Sequence, residues 1–128
     1  MSNESPRLFR LNIEVGSVDQ AHDFYSELLG IEGRPQMGSR VYFDAGVTLQ
    51  VVEAQSPHTA AKALYFEVPN LDTVHERAKR LDCLSDGSVH GTPAGEPVVR
   101  PWGERSFYAD DPWGNPLYFV EQGTIYSG

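Results

Sequence analysis

Sliding the sequence against itself by 53 residues lays LNIEVGSVDQAHDFYSELL (11–29) over LYFEVPNLDTVHERAKRLD (64–82). Six of the nineteen positions are identical: Leu11/Leu64, Glu14/Glu67, Val15/Val68, Asp19/Asp72, His22/His75 and Leu28/Leu81. Ile13/Phe66 and Val18/Leu71 keep their apolar character. A chain that repeats itself this way is suggestive of two copies of one supersecondary unit, and each copy must then run through the same order of elements.

Each copy opens with an alternation of period two. Leu11, Ile13 and Val15 make one face and Arg10, Asn12 and Glu14 the other; Leu64, Phe66 and Val68 likewise oppose Ala63, Tyr65 and Glu67. A helix is predicted after each strand. Ser17 is suited to the N-cap with Gln20 three residues on, and Val18, Ala21, Phe24, Tyr25, Leu28 and Leu29 form an apolar stripe that stops at Gly30. Asn70 is the matching cap of the second helix, with the stripe Leu71, Val74, Ala78 and Leu81 and a basic last turn of Arg77, Lys79 and Arg80. His22 and His75 hold equivalent helix positions and are expected to face solvent, while His58 and His90 fall in loops. No HxH or HxxxH spacing gathers them into a metal site.

Strands follow each helix. RVYFDAGVTLQVVE (40–53) turns at Ala45-Gly46, which would set Asp44 opposite Val47, Phe43 opposite Thr48 and Val41 opposite Gln50. That register gives Val41, Phe43, Thr48, Gln50 and Val52 one face, with Tyr42, Leu49 and Val51 on the other. ADDPWGNPLYFVEQ (109–122) reads as a strand, a tight turn and a strand, and pairing Asp110 with Pro116 brings Tyr108 opposite Tyr118. EPVVRPW (96–102) supplies a further short strand; QSPHTAAK (55–62) reads as a linker and DGSVHGTPAGEP (86–97) as a flexible loop.

The pattern strand, helix, several strands, twice over, predicts an α+β fold with helices on one face of mainly antiparallel sheets. The other face would form a trough carrying Arg10, Asn12, Glu14, Gln50, Tyr65, Glu67, Tyr108 and Tyr118. Rings mixed with a few polar groups are what a small-molecule site needs. The 128 residues, 40% hydrophobic and 22% charged, suit one globular domain. A net charge of −8 opposes nucleic acid and anionic membranes as partners. With neither a membrane-length apolar run nor a signal-like start, the expected location is cytoplasmic. Cys83 is a single cysteine and cannot form an internal disulfide. Phosphate loops, nucleophile elbows and zinc-spaced clusters are missing from the sequence.

The strand ending in Val15, the helix with Phe24-Tyr25 and Leu28-Leu29-Gly30, the duplicated strand and helix, and DPWGNPLYFVE (111–121) together resemble the vicinal oxygen chelate superfamily. That group comprises glyoxalases, extradiol dioxygenases, fosfomycin resistance enzymes and bleomycin resistance proteins. The resemblance implies two tandem βαβββ modules, about 7–54 and 62–122 of a single domain 1–128, curving into a cup and assembled as a homodimer. In its metal-dependent branch four side chains hold a divalent ion, and the matching positions here are Arg10, Gln50, Ala63 and Tyr118. Arginine offers only donors, alanine offers nothing and neutral tyrosine is a poor ligand, which leaves Gln50 alone with a usable oxygen. The resemblance is therefore nearest to the metal-free, bleomycin-resistance-like branch, with no metal and no cofactor expected.

On this reading the cup binds a small aromatic or cationic molecule such as an antibiotic, through Arg10, Asn12, Phe43, Gln50, Tyr65, Glu67, Trp102, Arg105, Tyr108 and Tyr118, with no catalytic residue required. Trp102, in RPWGER, resembles the stretch that closes over the cup in drug-binding relatives, and Trp113 in its turn would touch either ligand or partner subunit. The acidic balance favours a cationic ligand. The alternative is an enzyme, either a metal-dependent lyase, isomerase or oxygenase with other ligands, or a metal-free proton-transfer catalyst using Glu67. A third possibility is a dimer whose cup is filled by its own side chains.

Overall fold

The computed structural model describes residues 9–58 and 64–126. Their contacts divide into two compact units, one made of residues up to Ser26 together with Gly30–His58, the other of Glu27–Leu29 and the second half of the chain. Among the described residues no helix is long and apolar enough to cross a membrane.

Unit one runs β1 (Arg10–Val15), α1 (Val18–Leu29), β2 (Arg34–Gln36), β3 (Arg40–Ala45) and β4 (Val47–Glu53). The sheet order is β1-β4-β3-β2, with β1 parallel to β4 and the other pairs antiparallel. The helix starts where its sequence says it should. The Ser17 side chain accepts from the Gln20 backbone N–H at 3.2 Å, and Glu53 at the end of β4 accepts from the Val18 N–H at 2.9 Å, so two of the orphan donors of the first turn are satisfied. It ends at Gly30, whose φ of 70° lies in the left-handed region. Ile13, Val15, Val41, Phe43, Leu49 and Val51 are buried from the sheet, and Ala21, Phe24 and Tyr25 from the helix.

The β3–β4 register corrects the sequence expectation by one residue. The chain reverses about Gly46 itself, at φ 85°, so that Ala45 pairs with Val47, Asp44 with Thr48, Phe43 with Leu49 and Tyr42 with Gln50. A single-residue slip moves every side chain of a strand to the opposite face. Phe43 thus leaves the face of Gln50 and packs fully buried against Tyr25, with ring centroids 5.7 Å apart, while Tyr42 takes its place beside Gln50.

Unit two runs β5 (Leu64–Val68), α2 (Leu71–Arg80), β6 (Ser88–Val89), β7 (Thr92–Pro93), β8 (Val98–Val99), β9 (Arg105–Asp110) and β10 (Pro116–Glu121). Its sheet, β5-β10-β9-β8, repeats the order of unit one, again with a single parallel pair. Each unit is therefore a βαβββ module on a mixed sheet, and β6–β7 is an added hairpin lying inside the segment expected to be a flexible loop. The β9–β10 register is the expected one, with Asp110 opposite Pro116 and Tyr108 opposite Tyr118.

The DPWGN turn sets that register. The Asp111 carboxylate, buried at 4% exposure, accepts from the backbone N–H groups of Trp113 (2.9 Å) and Asn115 (2.8 Å) and from the Asn115 side-chain amide (2.7 Å). One aspartate thereby satisfies three donors of a turn whose two ends, Asp111 and Asn115, are buried. On the helix side, Phe66, Phe119 and Phe107 stack across three strands with successive centroids 5.2 Å apart.

His75 corrects a second expectation, for it is buried rather than facing solvent. It shares the stripe of Leu71, Val74 and Ala78, its ring meets Phe107 edge-on at 5.1 Å, and its Nε2 pairs with the Gly95 carbonyl at 2.9 Å. Gly95 has no room for a side chain, since a Cβ there would lie 2.7 Å from the Ser85 carbonyl oxygen.

Candidate functional site

The strand pairings define one row of three side chains on the face of each sheet opposite its buried core. In unit one β1, β4 and β3 contribute Asn12, Gln50 and Tyr42; in unit two β5, β10 and β9 contribute Tyr65, Tyr118 and Tyr108. The equivalence agrees with the repeat, because Asn12 and Tyr65 are 53 residues apart and pair with Gln50 and Tyr118 respectively. The same three places in the fold are thus mainly amide in one module and wholly phenolic in the other.

The amide row carries an unfinished hydrogen-bond set. Gln50 is 9% exposed; its Nε2 donates to Asn12 Oδ1 at 2.6 Å, and its Oε1 is buried without a partner. A buried acceptor left unpaired costs roughly 1–3 kcal/mol, so Oε1 is primed for any donor that reaches it. Arg10 sits next along this face, with its guanidinium 5.1 Å from the Tyr42 ring centroid, and Arg34 lies over the same ring at 5.7 Å. Glu14 accepts from the His58 backbone N–H at 2.9 Å.

The phenolic row is a continuous aromatic contact. Tyr108 stacks on Tyr118 at 4.2 Å and 28°, and Tyr118 meets Tyr65 edge-on at 5.0 Å and 84°. Exposure climbs along it from buried Tyr108 through half-buried Tyr118 to Tyr65, which is 68% exposed. Burial pushes the Tyr118 hydroxyl pKa up, with Tyr108 and Asp110 adding to the shift; burial, then Tyr118, Tyr108 and Glu104, do the same for Tyr65. Both phenols therefore stay neutral at physiological pH, as rings that stack and hydroxyls that donate. Glu67 is exposed two residues beyond Tyr65 on the same strand.

Other candidates lie elsewhere. Arg105 shares the parity of Phe107 and Ala109, on the helix side, where it pairs with Asp72 of α2 at 2.9 Å and with Glu121. Trp102 is half-buried, donates from Nε1 to Glu104 at 2.8 Å and meets His90 edge-on at 5.1 Å. Trp113 is half-buried in its turn. Arg100 was not singled out by its sequence context, yet it is 1% exposed and its guanidinium lies 4.6 Å from the Tyr108 ring centroid. The pattern carries no signal for it, because Arg100 follows the two-residue strand β8 and the carbonyls that receive its guanidinium come from residues 93, 94, 96 and 106.

The four positions at which the family resemblance implies metal ligands can be tested on their donors. Arg10 is a permanent cation, Tyr118 is a phenol held protonated, and Gln50 supplies a single amide oxygen. Ala63 lies outside the described residues, and its side chain carries no donor. This set does not fit a divalent ion. Among the described residues no group of three or more His, Cys, Asp or Glu stands where it could hold one.

Residues 7–119 match the family model described as Glyoxalase/Bleomycin resistance protein/Dioxygenase superfamily. No curated protein matches the sequence. Similar solved structures include one titled Oxidase ChaP-H1, with TM-score 0.76 and 21% identity over 97% of this chain and all of that one. Another is a lactoylglutathione lyase from Agrobacterium tumefaciens, with TM-score 0.68 and 20% identity over 98% of this chain and 100% of that chain. A third is the genomically encoded fosfomycin resistance protein FosX from Listeria monocytogenes, with TM-score 0.70 and 17% identity over 91% and 93% of the two chains. At these identities the likeness is one of fold.

Proposed function

The chain belongs to the Glyoxalase/Bleomycin resistance protein/Dioxygenase superfamily, and from that premise we propose that it binds a small aromatic molecule without a metal ion, by stacking on the tyrosine row of unit two. The carrying observation is the row itself. Tyr118, at a position where the family resemblance implies a metal ligand, lies between two other rings, and the outermost of these, Tyr65, is a large apolar side chain left in water. Exposed aromatic surface backed by a rigid stack is a recognition surface, and aromatic pairing of this kind contributes about 0.5–1.5 kcal/mol per contact.

Binding of this kind protects by lowering the free concentration of the compound and asks for no catalytic group. Unit one, taken by itself, offers polar groups of its own: an acceptor from Gln50, an amide from Asn12 and a cation from Arg10. As in other members of the superfamily, the two modules act as one domain and the chain assembles as a homodimer. A second reading, metal-free proton transfer, rests on Glu67, which stands exposed on the strand that carries Tyr65.

The test is a thermal-shift screen of aromatic cations, glycopeptide antibiotics and phenolic and keto acids, run with and without EDTA and repeated on Tyr118→Ala. A ligand at about 100 times its Kd adds about 2.7 kcal/mol of stability. Hits that survive EDTA and vanish in Tyr118→Ala support the proposal. Hits that need added divalent ions, or that stabilise both proteins equally, overturn it.

A further inference from the structure

The proposed function leaves one buried cation without a task. Arg100 donates from Nε to Ser106 Oγ (3.0 Å), from Nη1 to Thr92 Oγ1 (2.8 Å) and the Pro93 carbonyl (3.1 Å), and from Nη2 to the carbonyls of Ala94 (3.2 Å), Glu96 (3.3 Å) and Ser106 (2.9 Å). These six acceptors are hydroxyls and carbonyls, and no carboxylate stands among them. Charged side chains are almost never fully buried unless paired, so a guanidinium held this way is costly and calls for a use. Burial pushes its pKa down, but an arginine starts too high to lose its proton near neutrality.

The use is legible in what lies over it. The guanidinium faces Tyr108, Tyr108 stacks on Tyr118, and Tyr118 meets Tyr65, so the tyrosine row is a ladder with a fixed positive charge at its buried end. A ring whose negative face already serves one cation has less to offer a second. Resting on the proposed binding at this row, we propose that Arg100 is a positioning and specificity-determining residue, which locks Tyr108 in place and biases the row toward anionic aromatic ligands over cationic ones of the same shape. This reverses the preference that the net charge of −8 suggests. The excess acidic charge is dispersed over the surface, where water and salt screen it, whereas the guanidinium is buried behind Tyr108 at the inner end of the row, where screening is weaker. The acids that reach the row are already engaged or solvated: Glu104, whose field is felt at Tyr65, accepts from Trp102 Nε1 at 2.8 Å and from the Tyr126 backbone N–H at 2.9 Å, Asp110 is half-buried and accepts from Ser85 Oγ at 2.7 Å, and Glu67 is exposed to solvent.

Calorimetric titration with three naphthalenes of one shape tests this: 2-naphthoate, neutral 2-naphthol and 2-naphthylmethylammonium. Wild type is expected to bind the naphthoate about tenfold more tightly than the ammonium compound. Arg100→Met should bring the ratio close to one, and Arg100→Lys, which keeps the charge, should restore most of it. Ser106→Asp sets a carboxylate beside the guanidinium and should also collapse the ratio, which covers the case in which Arg100→Met does not fold. A wild-type preference for the ammonium compound, or a ratio unmoved in the folded neutralising variant, overturns the role of Arg100 while leaving the tyrosine row intact. If neutral 2-naphthol fails to bind wild type, or binds Tyr118→Ala equally well, the binding proposal falls and this inference with it.

Discussion

Replacing Asp111 by alanine removes the acceptor at the centre of the DPWGN turn, and the cost can be worked from its bonds. Three donors lose their partner, two of them on Asn115, which is buried at 1% exposure, and one on the half-buried Trp113, which water can reach. At roughly 1–3 kcal/mol for each buried donor left unpaired, the two on Asn115 set an expected loss of about 3–4 kcal/mol. That is a large share of the roughly 5–15 kcal/mol that holds a domain together, but the variant should still fold. Urea unfolding followed by tyrosine and tryptophan fluorescence should show the midpoint falling with an unchanged m-value, and the melting temperature should drop by roughly 10–15 °C. Asp111→Asn, which keeps one acceptor oxygen, should lose less. Asn115→Ala combined with Asp111→Ala should cost less than the two single changes added together, because Asn115→Ala removes the side-chain donor that Asp111→Ala strands. A loss below about 1 kcal/mol for Asp111→Ala, or strict additivity in the double variant, would refute the view that this carboxylate holds the hairpin register.

Three further outcomes follow from the same structure. Hydrogen bonding to Asp23, with a further bond to Glu32, raises the His22 pKa despite some burial, so its stabilisation is present below the unfolded value of about 6.5 and lost as pH rises through the folded value; the stability difference between wild type and His22→Asn, read from urea midpoints at pH 5.5 and 8.5, should be larger at the lower pH. Burial, with Asp110 nearby, pushes the Cys83 thiol up to about 11, so it should react with a disulfide probe slowly in the folded protein and at the ordinary thiol rate in urea. Arg105→Ala should cost about 1 kcal/mol through its pairs with Asp72 and Glu121 while leaving binding at the tyrosine row unchanged, which equilibrium unfolding and a probe titration on the same sample would check.

Much of this fold is legible in the sequence, and what is not has local causes. The repeat and the two strand–helix openings carried the modular architecture, because alternation, caps and the Gly30 stop all agreed. The β9–β10 register was legible because the DPWGN turn has its own chemistry, with a carboxylate that counts out the donors. At β3–β4 a lone glycine leaves two registers open, and the one not adopted would put Phe43 in place of Tyr42 on the polar face. Strand parity alone, applied to β9, would have put Arg105 with Phe107 and Ala109 on the core side. His75 could have been read from the stripe it shares with Leu71, Val74 and Ala78. Arg100 could not be found that way: its burial depends on carbonyls from residues 93, 94, 96 and 106 meeting at one point, and only tertiary structure brings them together.

The central claim is that this fold has exchanged a metal site for a tyrosine stack, and a neutral probe in metal-free buffer tests it most directly. Calorimetric titration of 2-naphthol into EDTA-treated wild type should give saturable binding, weakened about tenfold in Tyr118→Ala through the lost ring contacts. Binding that appears only when a divalent ion is added, or that is identical in the two proteins, would contradict it.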